Sequence, residues 1–136
     1  MMGEHKMKYS KATDYALHSM MFLAKQDSEH PMSVIELAAL QNISPSYLSK
    51  ILTKLSKERL INAISGANGG YSLRKNWQTI SILEIVHAIE GRQSLFECYV
   101  HEDPACTIKK IMLSAEEKME AELAATTLLD LITPHH

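Results

Sequence analysis

The sequence has no long apolar run and very few cysteines. No stretch reaches the roughly 18–20 consecutive apolar residues of a membrane span, and the charged start precedes no signal-peptide core. These absences predict a cytoplasmic protein with no membrane segment. Because the cytoplasm is reducing, we expect Cys98 and Cys106 to be thiols or ligands instead of a structural disulfide.

Glycine is also scarce, and the motifs of common enzyme classes are missing. Three of the five glycines fall within residues 66–70, between two predicted strands and not at the start of a helix, which excludes a nucleotide-binding loop. The sequence contains no phosphate loop, no nucleophile elbow and no pair of carboxylates placed for catalysis. We therefore predict that the protein is not an enzyme.

Positive charge is in deficit overall but is unevenly distributed. The net charge is −2, yet residues 1–77 hold 10 Lys and Arg against 6 Asp and Glu, and residues 78–136 hold 4 against 10. A basic front half and an acidic rear half would orient the molecule towards DNA.

The front half carries the pattern of a helix-turn-helix. An apolar face at helical spacing predicts a first helix over residues 10–26. A capping box of Ser33 and Glu36 opens a second, short helix that ends near Leu40, and Ser44 caps a third. Two helices joined by three or four residues are what this motif requires.

The third helix has two chemically distinct faces. One face is apolar and predicted to be buried: Leu48, Ile51, Leu52 and Leu55. The other face holds hydroxyls and cations: Ser46, Tyr47, Ser49, Lys50, Thr53, Lys54 and Lys57. Such a surface suits phosphates and base edges, so we expect double-stranded DNA as the partner. The alternative for a lysine-rich face is simple solvation.

The segment after the third helix favours DNA binding over solvation. Residues 61–65 alternate as in a strand, glycines at 66–70 predict a turn, and residues 71–74 return as a second strand. A hairpin following a helix-turn-helix makes a winged helix. The predicted fold is therefore mostly α with a small β-wing, and residues 1–80 form its DNA-binding domain.

Residues 81–136 are predicted to hold a sensing loop and dimerisation helices. A helix opens at Ser81 and ends at Gly91, a loop follows, Asp103 and Pro104 begin a long helix, and residues 128–132 form a short one. The long helix, about 20 residues or 30 Å, is as long as a domain whose radius of gyration is near 14 Å. Its apolar stripe therefore predicts a twofold homodimer and a palindromic DNA site, with packing within one chain as the alternative.

These segments together resemble the Rrf2 family of bacterial transcription regulators. The resemblance covers essentially the whole chain, and its motifs are SKATDYAL (10–17), ISPSYLSKILTKL (43–55), GANGGYSL (66–73), ISILEIVHAIEG (80–91) and TTLLDLI (126–132). It implies a winged-helix homodimer, held by the long helix, that binds operators and mostly represses.

The resemblance also assigns DNA-contacting positions. It places Ser46, Tyr47 and Lys50 at the family's base-contacting positions, where a lysine can donate to guanine O6 and N7. Lys54 and Lys57 are better assigned to phosphates. Relatives carry an arginine for the minor groove at the position of Ser65, and this wing has no cation. Arg74, with Lys75, is expected to touch only the DNA backbone.

Many Rrf2 regulators bind an iron–sulfur cluster through three loop cysteines. Here Cys98 matches the first and Cys106 the last, and the middle one is missing. We therefore expect no cofactor. The alternatives are a [2Fe–2S] cluster completed by other ligands, another metal held through His101 between the cysteines, and a thiol switch. Asp14 matches a carboxylate ligand of a nitric-oxide-sensing branch, but it also suits the first turn of a helix.

A different class of function remains open from the sequence. The acidic rear half and the long helix would also suit a protein-interaction module that holds a protein partner. Salt-sensitive binding to duplex DNA separates the two hypotheses, because phosphate contacts make affinity fall steeply with salt.

Overall fold

The computed structural model describes residues 9–26, 30–96, 99–100 and 105–134. Within these ranges six α-helices and one hairpin follow each other, together with a 3₁₀ turn over Trp77–Thr79. In chain order they are α1 (Lys11–Lys25), α2 (Val34–Gln41), α3 (Pro45–Lys57), β1 (Ile61–Ile64), β2 (Gly70–Leu73), α4 (Ile82–Glu90), α5 (Thr107–Ala125) and α6 (Leu128–Ile132). None of these helices is long and apolar enough to cross a membrane.

Capping boxes set the starts of three helices. Ser33 Oγ accepts a hydrogen bond from the Glu36 backbone N–H at 3.1 Å, and the Glu36 carboxylate accepts one from the Ser33 N–H at 2.9 Å. This reciprocal pair satisfies two backbone donors that a helix start would otherwise leave unpaired. The three boxes are Ser33–Glu36, Ser81–Glu84 and Thr127–Asp130. The first two confirm the predicted starts of α2 and α4.

One hydrophobic core joins the front and rear halves of the chain. Its fully buried side chains come from α1, α2, α3, β1, α4 and α6, and include Met20, Leu37, Leu48, Leu52, Leu55, Ile61, Ile85 and Leu128. The four predicted core positions of α3 are 0–3% exposed. This burial fixes the rotation of α3 about its axis, so its opposite face points to solvent.

The wing is a two-stranded antiparallel hairpin, as predicted, although β1 is one residue shorter than predicted and β2 begins and ends one residue earlier. Ile61 pairs with Leu73 and Ile64 with Gly70. Strand β2 is also tied to the segment before α2, because Met32 N–H donates to Tyr71 O at 3.0 Å and Tyr71 N–H donates to Met32 O at 2.7 Å. The wing is therefore fixed to the start of the helix-turn-helix as well as to the end of α3.

The carboxylate of Glu90, at the end of α4, caps the N-terminus of α1. Glu90 Oε2 accepts hydrogen bonds from Ser10 N–H at 2.7 Å, from Ser10 Oγ at 2.9 Å and from Thr13 Oγ1 at 2.5 Å. A negative group at a helix N-terminus is favoured by the positive end of the helix dipole. These bonds hold α1 against α4.

The long helix α5 begins later than the sequence predicts. The prediction placed its start at Asp103 and Pro104, which lie outside the described residues, but its first helical residue is Thr107. Cys106 is the N-cap with φ −58° and ψ 120°, and this non-helical ψ prevents the helix from continuing upstream through that residue.

Two backbone hydrogen bonds join residues 126–128 to the segment that follows the wing. Leu128 N–H donates to Ile80 O at 2.7 Å, and Ile82 N–H donates to Thr126 O at 2.9 Å. Both Leu128 and Ile80 are 0% exposed. The predicted helix over residues 128–132 is confirmed as α6, and it completes the core beside α1.

Candidate nucleic-acid interface

A three-residue turn aims α3 away from α2. Asn42 adopts the left-handed conformation with φ 56°, which reverses the chain after α2. Ser44 Oγ then accepts a hydrogen bond from the Tyr47 backbone N–H at 3.2 Å, and Pro45 occupies the first turn of α3. The predicted helix-turn-helix and its serine cap are confirmed.

The solvent face of α3 is cationic. Lys50, Lys54 and Lys57 are exposed and lie at i, i+4 and i+7, on neighbouring turns of one face. No residue of α3 is Asp or Glu, and the first acid is Glu58 at its C-cap. A row of positive charges without internal carboxylates is suited to the closely spaced phosphates of a duplex.

The hydroxyls on this face differ in their availability. Thr53 Oγ1 donates to the Ser49 backbone carbonyl at 2.8 Å, so its proton is used within the helix. Ser46 is exposed in the first turn, where its Oγ lies 3.5 Å from Ser44 Oγ. Among these serines and threonines, Ser46 is therefore the hydroxyl best placed to reach an external acceptor.

Tyr47 is held by an aromatic contact that the sequence pattern did not reveal. Its ring meets the ring of Tyr15 on α1 edge to face, with centroids 5.8 Å apart and an interplanar angle of 89°. Tyr47 nevertheless remains 40% exposed. This contact orients the phenol of Tyr47 at the solvent face of α3.

The wing carries no charged residue, and the cations lie beside it. Arg74 follows β2, and its Nη2 lies 3.8 Å from Glu84 Oε1 at the start of α4. Arg59 is a further cation near the wing, and it was not identified from the sequence as a candidate DNA contact. It is exposed between α3 and β1 with φ 62°, and its only sequence signal is that it follows the last lysine of α3 by two residues.

These features together define a class of protein. A helix-turn-helix with a buried inner face, an exposed cationic outer face and an attached hairpin is the architecture of winged-helix DNA-binding regulators.

Comparisons with known proteins identify the family within that class. The family model of Rrf2, described as an iron-dependent transcriptional regulator, matches residues 9–134. The HTH-type transcriptional regulator NsrR of Halalkalibacterium halodurans is 35% identical over 133 residues, covering 93% of this chain and 91% of the relative. The chain belongs to the Rrf2 family of transcription regulators and is not an enzyme.

Solved structures agree with this assignment. CymR, the global cysteine regulator of B. subtilis, is 32% identical with a TM-score of 0.79, covering 91% of this chain and 95% of CymR. The oxidized form of CymR from Staphylococcus aureus is 30% identical with a TM-score of 0.80, covering 95% and 98% of the two chains. The predicted winged-helix fold and the function in DNA-binding regulation are confirmed.

The predicted sensing residues are only partly visible. Cys106 is a half-buried thiol at the N-cap of α5, while Cys98 and His101 lie outside the described residues. Asp14 is an exposed first-turn acid of α1, and its Oδ1 lies 3.2 Å from His18 Nδ1. The described residues hold no group of three or more His, Cys, Asp or Glu arranged for a metal.

The cysteines of this chain cannot by themselves supply all the ligands of an iron–sulfur cluster. Such clusters take four protein ligands, usually four thiolates, and this chain has two cysteines in total. Cys106 is the one whose position is described, and Asp14 already faces His18. A cluster would therefore need at least two ligands that are not cysteines.

Hydrogen bonds hold residues 94–95, just before the loop that contains Cys98, against α5. Glu116 accepts hydrogen bonds from Ser94 Oγ at 2.7 Å and from Leu95 N–H at 2.8 Å.

Tyr9 also contacts α5, because its hydroxyl lies 3.9 Å from Met119 Sδ. Burial, and then the nearby carboxylates of α5 and α4, raise the pKa of Tyr9 above its ordinary value.

Proposed function

We propose that this regulator is a homodimeric repressor that places one α3 helix in each of two major grooves of a palindromic operator. The observation that carries the proposal is the face of α3: three exposed lysines without a carboxylate, on a helix whose other face is locked in the core. Repression is the outcome that the resemblance to Rrf2 regulators implies. Residues 1–80 would form the DNA-binding region, and 81–136 the sensing and dimerisation region.

The residues of α3 divide into two roles. Lys50 donates to guanine O6 and N7, with Ser46 and Tyr47 contacting bases or phosphates beside it. Lys54 and Lys57, nearer the C-terminal end, bind phosphates and set the position of the helix along the duplex. Arg74 exchanges its long contact with Glu84 for a phosphate. Work on chromosomal DNA would place the protein in the cytoplasm.

The outward face of α5 supports the dimer. No residue of α5 is buried, although Met112, Met119 and Leu123 lie half-buried on the side of the helix that meets the rest of the chain. Ile108 and Ile111, which point outward, are 65% and 61% exposed. Isoleucines exposed to this extent on a long helix are favoured to pack against a second copy of α5.

Placing a charge in this outward face should break the dimer. We expect Ile111→Glu to shift the protein to a monomer in analytical ultracentrifugation, because two buried carboxylates would face each other across the twofold axis. Ile35→Glu is the matched control, since Ile35 is 67% exposed on α2. A dimer that survives Ile111→Glu unchanged would place the interface elsewhere.

The salt dependence of DNA binding tests the proposed function. The operator is first selected from random duplexes with the purified protein, and its affinity is then measured across a salt series. If Lys54, Lys57 and Arg74 of both protomers neutralise phosphates, log K should fall against log salt with a slope of about −5 to −6. Failure to select any duplex would instead favour the protein-partner alternative.

We further propose that the protein works without an iron–sulfur cluster. The expected result is a colourless protein when it is purified anaerobically without a tag, with no visible absorption band and no bound iron or sulfide. A brown protein with stoichiometric iron and sulfide would contradict this. It would show that Cys98 and Cys106 recruit non-cysteine ligands, among which Asp14 and His101 would be tested first.

A further inference from the structure

A cavity of about 270 Å³ lies between the end of α1, the wing strand β2 and the 3₁₀ turn. Leu23 and Ala24 of α1 form one wall, and residues 71–73 of β2 form another. Trp77 and Gln78 of the 3₁₀ turn, together with Gln26 and His30, complete the described lining. The cavity borders the wing through β2, and none of its described lining residues belongs to α3.

The lining combines an aromatic wall with neutral polar groups. Leu23, Leu73 and Trp77 are apolar lining residues, while Gln26, Ser72 and Gln78 are neutral and polar. Among the described lining residues there is no Asp, Glu, Lys or Arg. At a pH where the imidazole of His30 is uncharged, a charged ligand would lose its hydration there without gaining a counter-ion from these residues.

The volume matches a small ring compound. A cavity of roughly 150 Å³ is enough for benzene, so this one accommodates an aromatic ring with a substituent. We propose that the cavity is an effector site for a small, neutral aromatic molecule with a hydrogen-bonding substituent, and that its occupancy changes the affinity of the protein for DNA.

The connection to DNA runs through β2. Residues 71–73 line the cavity, and the same strand forms half of the wing. Tyr71 is also paired through its backbone with Met32, just before α2. A ligand that contacts α1 and β2 together therefore favours one placement of the wing relative to the helix-turn-helix, and this differential binding shifts DNA affinity. This regulatory part rests on the proposed operator binding, whereas ligand binding itself does not.

Trp77 makes ligand binding directly measurable, because it is the only tryptophan of the chain. We expect benzamide, a neutral ring with an amide, to change the tryptophan emission of the DNA-free protein with saturation and a Kd on the order of 1 mM. Benzoate, the anion of nearly the same shape, should bind at least about tenfold more weakly.

A filled cavity provides the control. Ala24→Leu adds side-chain volume to the cavity wall and should abolish the saturable change, while Ala39→Leu, the same substitution at an exposed position of α2, should leave it intact. A linear change that is equal for benzamide and benzoate and persists in Ala24→Leu would be collisional and would overturn the proposal.

NMR shifts and operator affinity test the location of the site and its regulatory effect. If Ala24→Leu does not fold, benzamide-induced amide and indole shifts in the NMR spectrum of the wild type should cluster at Leu23, Ser72 and Trp77, and scattered shifts would overturn the site. Saturating benzamide should also change operator affinity at least threefold. Saturable binding with unchanged operator affinity would overturn the regulatory part, whereas a ligand-free protein that binds no operator would overturn the proposed function and leave the site standing.

Discussion

Removing Lys50 and Lys54 together should weaken operator binding by about 100-fold or more at moderate salt. A base-edge contact contributes about 1–3 kcal/mol, and a phosphate contact adds a salt-dependent term. Both lysines are exposed, so alanine leaves the core untouched. In a dimer, each substitution removes the contact with DNA from both protomers. The measurement is a fluorescence anisotropy titration of the selected operator with Lys50→Ala/Lys54→Ala.

The two single variants should fail in different ways. Lys54→Ala should weaken specific and non-specific duplexes alike and make the salt slope shallower by about one unit for each protomer. Lys50→Ala should mainly reduce the preference for the operator over unrelated DNA. Lys11→Ala/Lys25→Ala removes the same charge from two exposed positions of α1 and serves as the control. If the α3 double variant binds as tightly as this control, the assignment of α3 fails.

Replacing Gly70 with alanine should destabilise the protein by about 2–6 kcal/mol, through backbone strain and overpacking together. Gly70 has φ +146°, and a Cβ built there lies 2.5 Å from Met32 O and 2.7 Å from Met32 C. These are backbone atoms of the pairing that ties β2 to the segment before α2, so they cannot move aside without breaking it. Chemical denaturation and the thermal midpoint measure the loss.

Gly66→Ala separates the two causes. Gly66 also has a positive φ, +103°, but a Cβ there meets nothing within 4 Å. It should therefore lose only the conformational part, about 1–2 kcal/mol. Equal losses for Gly66→Ala and Gly70→Ala would mean that the close approach to Met32 is unimportant. A larger loss for Gly70→Ala, accompanied by weaker operator binding, would show that the approach holds the wing in place.

Local chemistry made most of the fold predictable. Side-chain caps and helical spacing depend on residues within four positions of each other, so Ser33, Ser44 and Ser81 marked their helices correctly. The apolar face of α3 likewise fixed which of its residues would be exposed. The predicted start of α5 was wrong. Pro104 resembles the proline that often occupies the first turn of a helix, but the backbone at Cys106 is not helical.

The contacts that complete the site were not predictable, because they join residues far apart in the sequence. The edge-to-face pair of Tyr15 with Tyr47 spans 32 residues, and the hydrogen bond from Thr13 to Glu90 spans 77. Neither pair has a periodic signature. The cavity beside Trp77 arises in the same way, since the end of α1, His30, β2 and the 3₁₀ turn all contribute to its lining.

The staple between residues 126–128 and the segment at Ile80 has a consequence for biosynthesis. Leu128 fills the core beside α1, and its N–H saturates the carbonyl of Ile80. While the chain is still being made, the winged helix-turn-helix therefore has an open core until residue 128 has left the ribosome. We therefore expect a chain truncated before α6 to unfold more readily than the full chain and to be cleaved faster in limited proteolysis.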